Sequence, residues 1–553
     1  MFVEGNRDWA REEKHLRGWR NSLSAGPYWN IPAPLMVDIA EEGPVLEHIS
    51  GHEINLVAGH RYMADYTVGG SFRMLTGNHR PTNTDDIWST VGRVGPIVRM
   101  LDQRRYYQLC LEGLSRVVLY RREDEERYEL ASKSVELSPR KYYRLELSAR
   151  GERLTGRLDG EIVLEVDDSA YMHGWPGVRS LAVCRMKDIF AETDDADDAV
   201  NSDLKMTWEA EQRRARQSVA QAVIRKHVSI PSLARFEGPM VFRMRGIPFF
   251  LFTGAGSVVV TDTNGREIWR TALDLTNACI ADIDGPGNTR IAGIADGDVV
   301  VLDAAGGKEL RRAVLPDADP FRQLSGDRIN PRFGGVSAAR LKPDCRELGL
   351  VLRHEAGGGS RRYWACDNEL RPLWNTFIPR PPGAHVVHIT DVYGRVVDEI
   401  CTGMHILDHE GNLVWSAPDA DIFAPHGGDH IDWVRMQRLD PEQPEKIHIV
   451  LATGNEGLFV YDRESRELIC QHQFGHVQSV ATGHFVPGRK DFQIWAVTRW
   501  DSYGISCIVA PDGSILSRLQ VDFTSDSVRK VNWTGNGLSH VVFGGRWLSP
   551  DSF

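Results

Sequence analysis

Only eight of the 553 residues are cysteine, and no two of them form a CxxC pair. Cys110, Cys184, Cys279, Cys345, Cys366, Cys401, Cys470 and Cys507 sit singly, mostly inside apolar strand-like runs. That pattern argues against a zinc site or a redox pair and for buried free thiols. No segment has 18 consecutive apolar residues, so no membrane-spanning helix is expected. The opening MFVEGNRDWAREEKHLRGW is charged where a secretory signal would be apolar, and together these features favour the cytoplasm. Positive charge is also in short supply: 65 Lys and Arg against 76 Asp and Glu give a net charge of −11, spread along the chain. Nucleic acid and anionic membrane both require a basic face, so neither is expected as a partner. An acidic polysaccharide would need a local basic pocket. The GH…WD signature is missing, which weighs against a protein-interaction propeller of the WD kind.

The chain is 42% hydrophobic, with 15 Trp and 52 Gly, a globular composition rich in turns. Its length exceeds one core and suggests two to four domains. Residues 1–34 form a charged extension, helical or loosely attached over 1–25. Residues 35–192 break into short alternating segments such as YYRLELSARGERLTGRLDGEIVLEV, where Leu145, Leu147, Leu154, Leu158, Ile162 and Leu164 mark one face and ARGE and LDGE supply turns. This is the pattern of an antiparallel β-sandwich. With DSAY (Asp168–Tyr171) and WPGVRS (Trp175–Ser180) after it, the run resembles the concanavalin-like (laminin-G-like) jelly roll. His173 and Trp175 of YMHGWPG are read as a structural loop. Residues 193–232 open with the acidic linker ETDDADDAV, and a helix of about 20 residues follows over SDLKMTWEAEQRRARQSVAQAVIRKH, ended by His227 and Pro231.

Over 233–553 a loose repeat recurs at the roughly 40–50-residue period of propeller blades. Its units are VVVTDTNGREIW, VVVLDAAGGKEL, RYWACDNELRPLW, MHILDHEGNLVW, LFVYDRESRELI and CIVAPDGSILSR, each a hairpin whose turn opens with Asp or contains Gly. With the terminal VRKVNWTGNGLSHVVFGG they fit seven blades, the first completed by the chain's other end. The expected fold is therefore all-β: a concanavalin-like sandwich followed by a seven-bladed β-propeller. Most of the turn aspartates lack the partners of a full calcium loop and are read as turn formers. Calcium stays open as a cofactor, and no organic cofactor is expected.

A propeller brings the segments entering its innermost strands to one mouth. Those segments hold Arg332 (NPRFGG), His385 and His388 (PGAHVVHITD), His430 (GGDHIDW), and His476 with Gln478 (FGHVQS). Several imidazoles in register point to a functional pocket. In APHGGDHIDW, Gly427 and Gly428 allow close backbone approach to a ligand, Asp429 is placed to fix an imidazole tautomer or ligate a metal, and His426 is read as solvated.

HGGDHIDWVRMQRLDPEQPE, GNEGLFVYDRESREL, GHVQSVATGHFVPGRKDFQIWAVTRW and GISCIVAPDGSIL together resemble the β-propeller polysaccharide lyases, nearest to the rhamnogalacturonan lyases, over about residues 383–520. Those enzymes have eight blades and a secretion signal. This chain is counted at seven blades and no signal, and seven blades are closer to the ulvan lyases and rhamnose–glucuronic acid lyases. The resemblance implies β-elimination next to a uronic acid in an acidic oligosaccharide or polysaccharide. Such a reaction needs carboxylate neutralisation, removal of the C5 proton and protonation of the leaving oxygen. On that basis His430 or His388 is the base, Tyr393 or His476 the acid, and Arg332 and Arg499 the bidentate carboxylate clamp. His385, Gln478, Trp433 and Trp500 contact substrate, and Asp429 orients a histidine or binds calcium. Two alternatives stand beside this. One is a non-catalytic carbohydrate-binding protein that stacks sugars on Trp433, Trp500 and Trp533. The other is a glycoside hydrolase drawing two carboxylates about 5–10 Å apart from Asp391, Asp429 and Asp432.

Overall fold

The computed structural model describes residues 19–21, 35–39, 43–48, 54–78, 91–218, 237–314, 333–355, 361–378, 383–418, 431–499, 504–520, 528–531 and 537–543. Among them strands dominate, and one long helix, Asp195–Ser218, stands apart. The chain divides into two compact units. One comprises Met1–Gln221, Asn455–Leu458 and His472–Phe553; the other comprises Ala222–Gly454 and Phe459–Gln471.

The first unit holds a sandwich of two seven-stranded sheets. One runs in the order Arg20–Asn21, Ile54–Val57, Trp175–Ser180, Arg93–Asp102, Arg105–Glu112, Arg116–Glu123, Glu126–Ser134. The other runs Glu161–Asp167, Arg153–Leu158, Tyr143–Arg150, Tyr66–Met74, Cys184–Glu192, Gly43–His48, Leu35–Ile39. Strict alternation in Tyr143–Arg150 turns Leu145, Leu147 and Ala149 inward, where they pack with Val98, Leu109 and Leu119 of the facing sheet. The LDGE turn is a two-residue loop: Leu158 pairs with Glu161 while Asp159 and Gly160 both take positive φ, as a type I′ hairpin requires. Arg20–Asn21 pair with Ile54–Val57, so this part of the charged extension is an edge strand and not helix.

The acidic run read as linker is the helix's first turns. Asp194 accepts the Asp197 N–H at 2.9 Å as an N-cap, and acidic residues suit the positive end of the helix dipole. The helix returns onto the sandwich: Asn201 Oδ1 accepts the Ala64 N–H at 3.0 Å, and the Arg61 guanidinium lies over the rings of Trp208, Tyr62 and Trp175. Trp175 is buried and His173 is tied to the Arg61 carbonyl, which gives the YMHGWPG loop a structural role.

Six four-stranded sheets follow, each built from consecutive strands in simple order, from Glu237–Met244 through Glu267–Thr271 to Val477–Gly483 through Ile515–Gln520. Every repeat hairpin forms the third and fourth strands of a sheet. Its aspartate folds back on the turn: Asp262, Asp367 and Asp408 each accept two turn N–H groups. The first sheet takes all four strands from its own stretch of sequence, so the chain's other end does not complete it. The described remainder is a two-stranded pair, Val528–Val531 with His540–Phe543, and the described residues do not add up to seven blades.

Within the second unit the first strands of successive sheets are neighbours: Thr276–Ala281, Phe333–Ala339, Gly383–Thr390 and Trp433–Gln437, the last two joined by a parallel bridge between Ala384 and Ile431. A repeated device locks outer strands to the next sheet. Trp374 Nε1 donates to the His409 carbonyl at 2.9 Å, and Thr376 Oγ1 donates to Gly411 O. Trp269 and Thr271 do the same to Ala304 and Gly307. Gly411 has φ +82°, and a β-carbon there would stand 2.5 Å from the Trp374 ring, so glycine is required twice over.

In the first unit the last four-stranded sheet meets the sandwich around a buried carboxylate, where Arg518 also reaches Asp124 at 2.6 Å and Gln520 Oε1 accepts the Gln103 N–H at 3.2 Å. Asp102, fully buried, receives Arg518 Nε at 3.0 Å and Nη2 at 3.2 Å, Arg105 Nε at 2.7 Å and the Arg104 N–H at 2.9 Å. Burial alone would raise this carboxyl, but the Arg518 and Arg105 guanidiniums and the Arg104 N–H outweigh it and hold it below its usual range. All eight cysteines are unbridged, five of them buried and three partly so.

Candidate functional site

In the second unit, Gly383–Thr390 enters its sheet through a ladder irregularity between Gly383 and His388. His385 lies in this segment, and its N–H donates to the Ile431 carbonyl at 2.7 Å, next to the parallel bridge. Arg353, from Gly349–Glu355, reaches the same place: it is 5% exposed and its Nη1 donates to the Ala384 carbonyl at 2.7 Å. Sequence reasoning missed Arg353. It closes the second strand of its sheet, as Arg499 follows the second strand of the sixth sheet, and that shared position was the available signal.

His388 is held differently from a base. Its Nδ1 accepts the Met436 N–H at 3.0 Å, so the neutral ring carries its proton on Nε2 and keeps no lone pair for proton abstraction. Burial, with the Arg435 guanidinium adding to it, pushes its pKa down to about 4. His388 is therefore a neutral hydrogen-bond donor at ordinary pH, which corrects its assignment as a base. Trp433 and Arg435 alternate with buried Val434 and Met436 and so share a face; the Arg435 guanidinium covers the Trp433 ring at 5.1 Å.

Tyr393 belongs elsewhere. It lies in the turn beyond Thr390, at the far end of the strand from His385. The five residue steps from His385 to Thr390 span about 16 Å of strand. Its hydroxyl donates to Glu464 Oε1, and its ring lies under the guanidiniums of Arg395 and Arg463. Burial first, and then that hydrogen bond, push the phenol well above its ordinary range. The acid role expected for Tyr393 beside the imidazoles does not fit this position. Six residue steps, about 20 Å of strand, separate Asp391, whose oxygens accept the Arg395 and Val396 N–H groups, from Asp432 at the start of the neighbouring parallel strand. That pair cannot supply hydrolase carboxylates about 5–10 Å apart.

In the first unit two side chains meet, and a third residue joins them through the backbone. His476 is buried, and its Nδ1 meets Asn455 Oδ1 at 2.9 Å. The amide oxygen only accepts, so Nδ1 carries a hydrogen and the neutral ring has its lone pair on Nε2. Arg499, 8% exposed, donates its N–H to the His476 carbonyl at 2.8 Å and so stands on the adjoining rung. Gln478 falls in the ladder irregularity between Val477 and Ser479. Asn455 is the second residue sequence reasoning missed; it follows the Ala452 strand end in ATGNEG, where a glycine-rich loop gave no chemical hint.

His430, Asp429, Arg332 and Trp500, with His426 and Trp533, lie outside the described residues. The described turn carboxylates do not fit a calcium cage. In IADIDGPGNTR, Asp282 binds the Gly287 N–H and Thr289 Oγ1, and Asp284 is paired with Arg290 and Arg311 at 2.7 and 2.8 Å, so guanidinium fills the place a cation would take. Among the described residues no three metal-ligating side chains gather.

No family model and no curated protein matches the chain. Among solved structures it is similar to the exotype rhamnogalacturonan lyase YesX, at 14% identity over 80% of each chain, with a TM-score of 0.42. A Bacillus licheniformis rhamnogalacturonan lyase matches at 14% identity over 76% of this chain and 77% of that one, with a TM-score of 0.41. The Bacillus subtilis carbohydrate-binding module CBM66 matches at 18% identity over 32% of this chain and 96% of its own, with a TM-score of 0.25. At such TM-scores these likenesses carry no argument about chemistry, and the functional case rests on the residues.

Proposed function

We propose that this chain is a polysaccharide lyase that cleaves beside a uronic acid by β-elimination, acting on acidic glycans of the rhamnose–uronate kind. The observation that carries the reading is the Asn455–His476–Arg499 arrangement. β-Elimination asks for two things at once: a positive group that neutralises the uronate carboxylate so that the C5 proton becomes removable, and an oriented group that takes the proton. Arg499 supplies the first, with a planar fork matched to a carboxylate. His476, its tautomer set by Asn455, supplies the second through Nε2. This moves His476 from the acid role to the base, and the imidazolium so formed returns its proton to the leaving oxygen. A chain of net charge −11 repels an acidic substrate at long range, so the local guanidinium also serves capture.

The test is absorbance from the new C4–C5 double bond, followed on pectic, ulvan-type and gum oligosaccharides, with and without chelator. The expected result is an absorbing product that falls by about 10²–10⁴-fold in His476→Ala and by at least about 10²-fold in Arg499→Met. Sugar binding with no absorbing product would instead mark a non-catalytic carbohydrate-binding protein. Reducing ends without absorbance would mark a hydrolase.

A further inference from the structure

Four arginines of the sandwich, Arg99, Arg104, Arg122 and Arg179, are among the largest fully buried side chains in the protein. A buried guanidinium is tolerated when its donors are spent. Arg99 donates to the Ala64 and Tyr171 carbonyls and to Asp65. Arg179 donates to the Gln103 carbonyl and lies over the Tyr106 ring. Arg104 takes Glu125 Oε1 at 2.7 Å.

Arg122 differs in degree, with both terminal nitrogens left over. Its Nε donates to the Asp124 carbonyl, but Nη1 and Nη2 are buried and have no hydrogen-bond partner. The nearest carboxylate oxygen, Glu125 Oε2, is 3.9 Å from Nη2, beyond hydrogen-bond reach, while the other oxygen of that group already serves Arg104. Asp124 is drawn to Arg518 at 2.6 Å, and Asp102 to Arg518 and Arg105. The sheet register makes the charge balance worse: Arg122 stands directly opposite Arg127 on one neighbouring strand and opposite Tyr106 on the other. Like charges in that relation repel. Burial, then Arg127 and Arg104, push the Arg122 guanidinium down to about 10, the direction expected of a cation short of negative charge.

We propose that the terminal amino groups of Arg122 hold a compact inorganic anion, chloride or a phosphate-sized oxyanion, with Arg104 and Arg127 supplying the surrounding positive charge. The guanidinium fork presents two parallel donors suited to such an ion. A side chain only 1% exposed is out of reach of a polymer carboxylate, which restricts the ligand to something small. The site adjoins the Asp124–Arg518–Asp102 contact, so the ion also supports the hold between the sandwich and the last four-stranded sheet of the same unit.

Thermal unfolding of the full chain at fixed ionic strength tests this, with sodium gluconate as background and chloride or phosphate as separate arms. The expected result is a saturable rise in Tm of roughly 2–4 °C in at least one arm, absent in Arg122→Met. Equal anion dependence in wild type and variant, or no rise in either arm, overturns the proposal. If Arg122→Met does not fold, wild-type crystals grown in bromide and in phosphate decide it. An anomalous peak or tetrahedral density within hydrogen-bond distance of Nη1 or Nη2 supports the site; water or nothing in both crystals overturns it.

Discussion

Replacing Asp102 by alanine probes how the sandwich holds the last sheet. The carboxylate is fully buried and accepts four donors, two of them from Arg518, which is itself 6% exposed and 416 residues away in sequence. Removing one partner of a buried ion pair costs about 3–5 kcal/mol, and because Asp124 keeps a hold on Arg518 at 2.6 Å the loss here lies at the lower end. Removing both avoids that cost, so Asp102→Ala with Arg518→Leu is expected to be more stable than Asp102→Ala alone by about 1–2 kcal/mol. Arg105, 24% exposed, reaches water in either variant. Urea unfolding followed by tryptophan fluorescence and far-ultraviolet circular dichroism measures both. The pH dependence is fixed by the same group. A carboxyl depressed in the fold contributes stability above its unfolded value and loses it as pH falls through its folded value. The gap between wild type and Asp102→Ala should therefore persist at pH 5 and close only below about pH 4. A loss under about 1 kcal/mol for Asp102→Ala, or simple addition of the two single losses in the double variant, would refute the reasoning.

Other expectations concern the sheets and the candidate site. Gly411→Ala meets the Trp374 ring and demands a left-handed alanine, so thermal unfolding should register a loss of about 2–4 kcal/mol; a loss under about 0.5 would mean the interlock gives way freely. His388 has a folded pKa of about 4 against about 6.5 unfolded, so from pH 6.5 downward the unfolded chain binds the extra proton and stability falls, by about 3 kcal/mol at pH 4. His388→Gln should lose that component, read as a smaller difference between urea midpoints at pH 7.5 and 4.5. Asn455→Ala should lower kcat more than it raises KM and shift the pH profile of turnover, since the amide orients His476 without touching substrate. An unchanged profile would reduce Asn455 to a packing residue.

The hairpins were legible because Asp and Gly must recur wherever a turn closes on its own carboxylate, and VVVTDTNGREIW and MHILDHEGNLVW form the strands their alternation predicts. The sandwich was legible in the alternation of Tyr143–Arg150 for the same reason. The acidic run at 192–200 was misread because charge counts as solvation in sequence, whereas a helix N-terminus makes it stabilising. At the candidate site, the position of His476 could be inferred from the repeat, but its partner could not. Asn455 acts from a different sheet segment, and nothing in GNEG distinguishes an orienting amide from a turn residue. The tautomer of His388 was hidden for a deeper reason: which nitrogen carries the proton depends on the backbone N–H of Met436, and sequence records no backbone geometry.

The bond between Asp102 and Arg518 also bears on how the chain is made. A ribosome delivers the hairpin carrying Asp102 long before residue 518 exists, and until then the acid has only its local arginine. The sandwich thus holds this buried carboxylate with Arg105 and the Arg104 N–H alone until the last four-stranded sheet is made. A product truncated ahead of residue 518 would leave that carboxylate short of its second guanidinium, so the stability of the sandwich depends on a strand made 416 residues later.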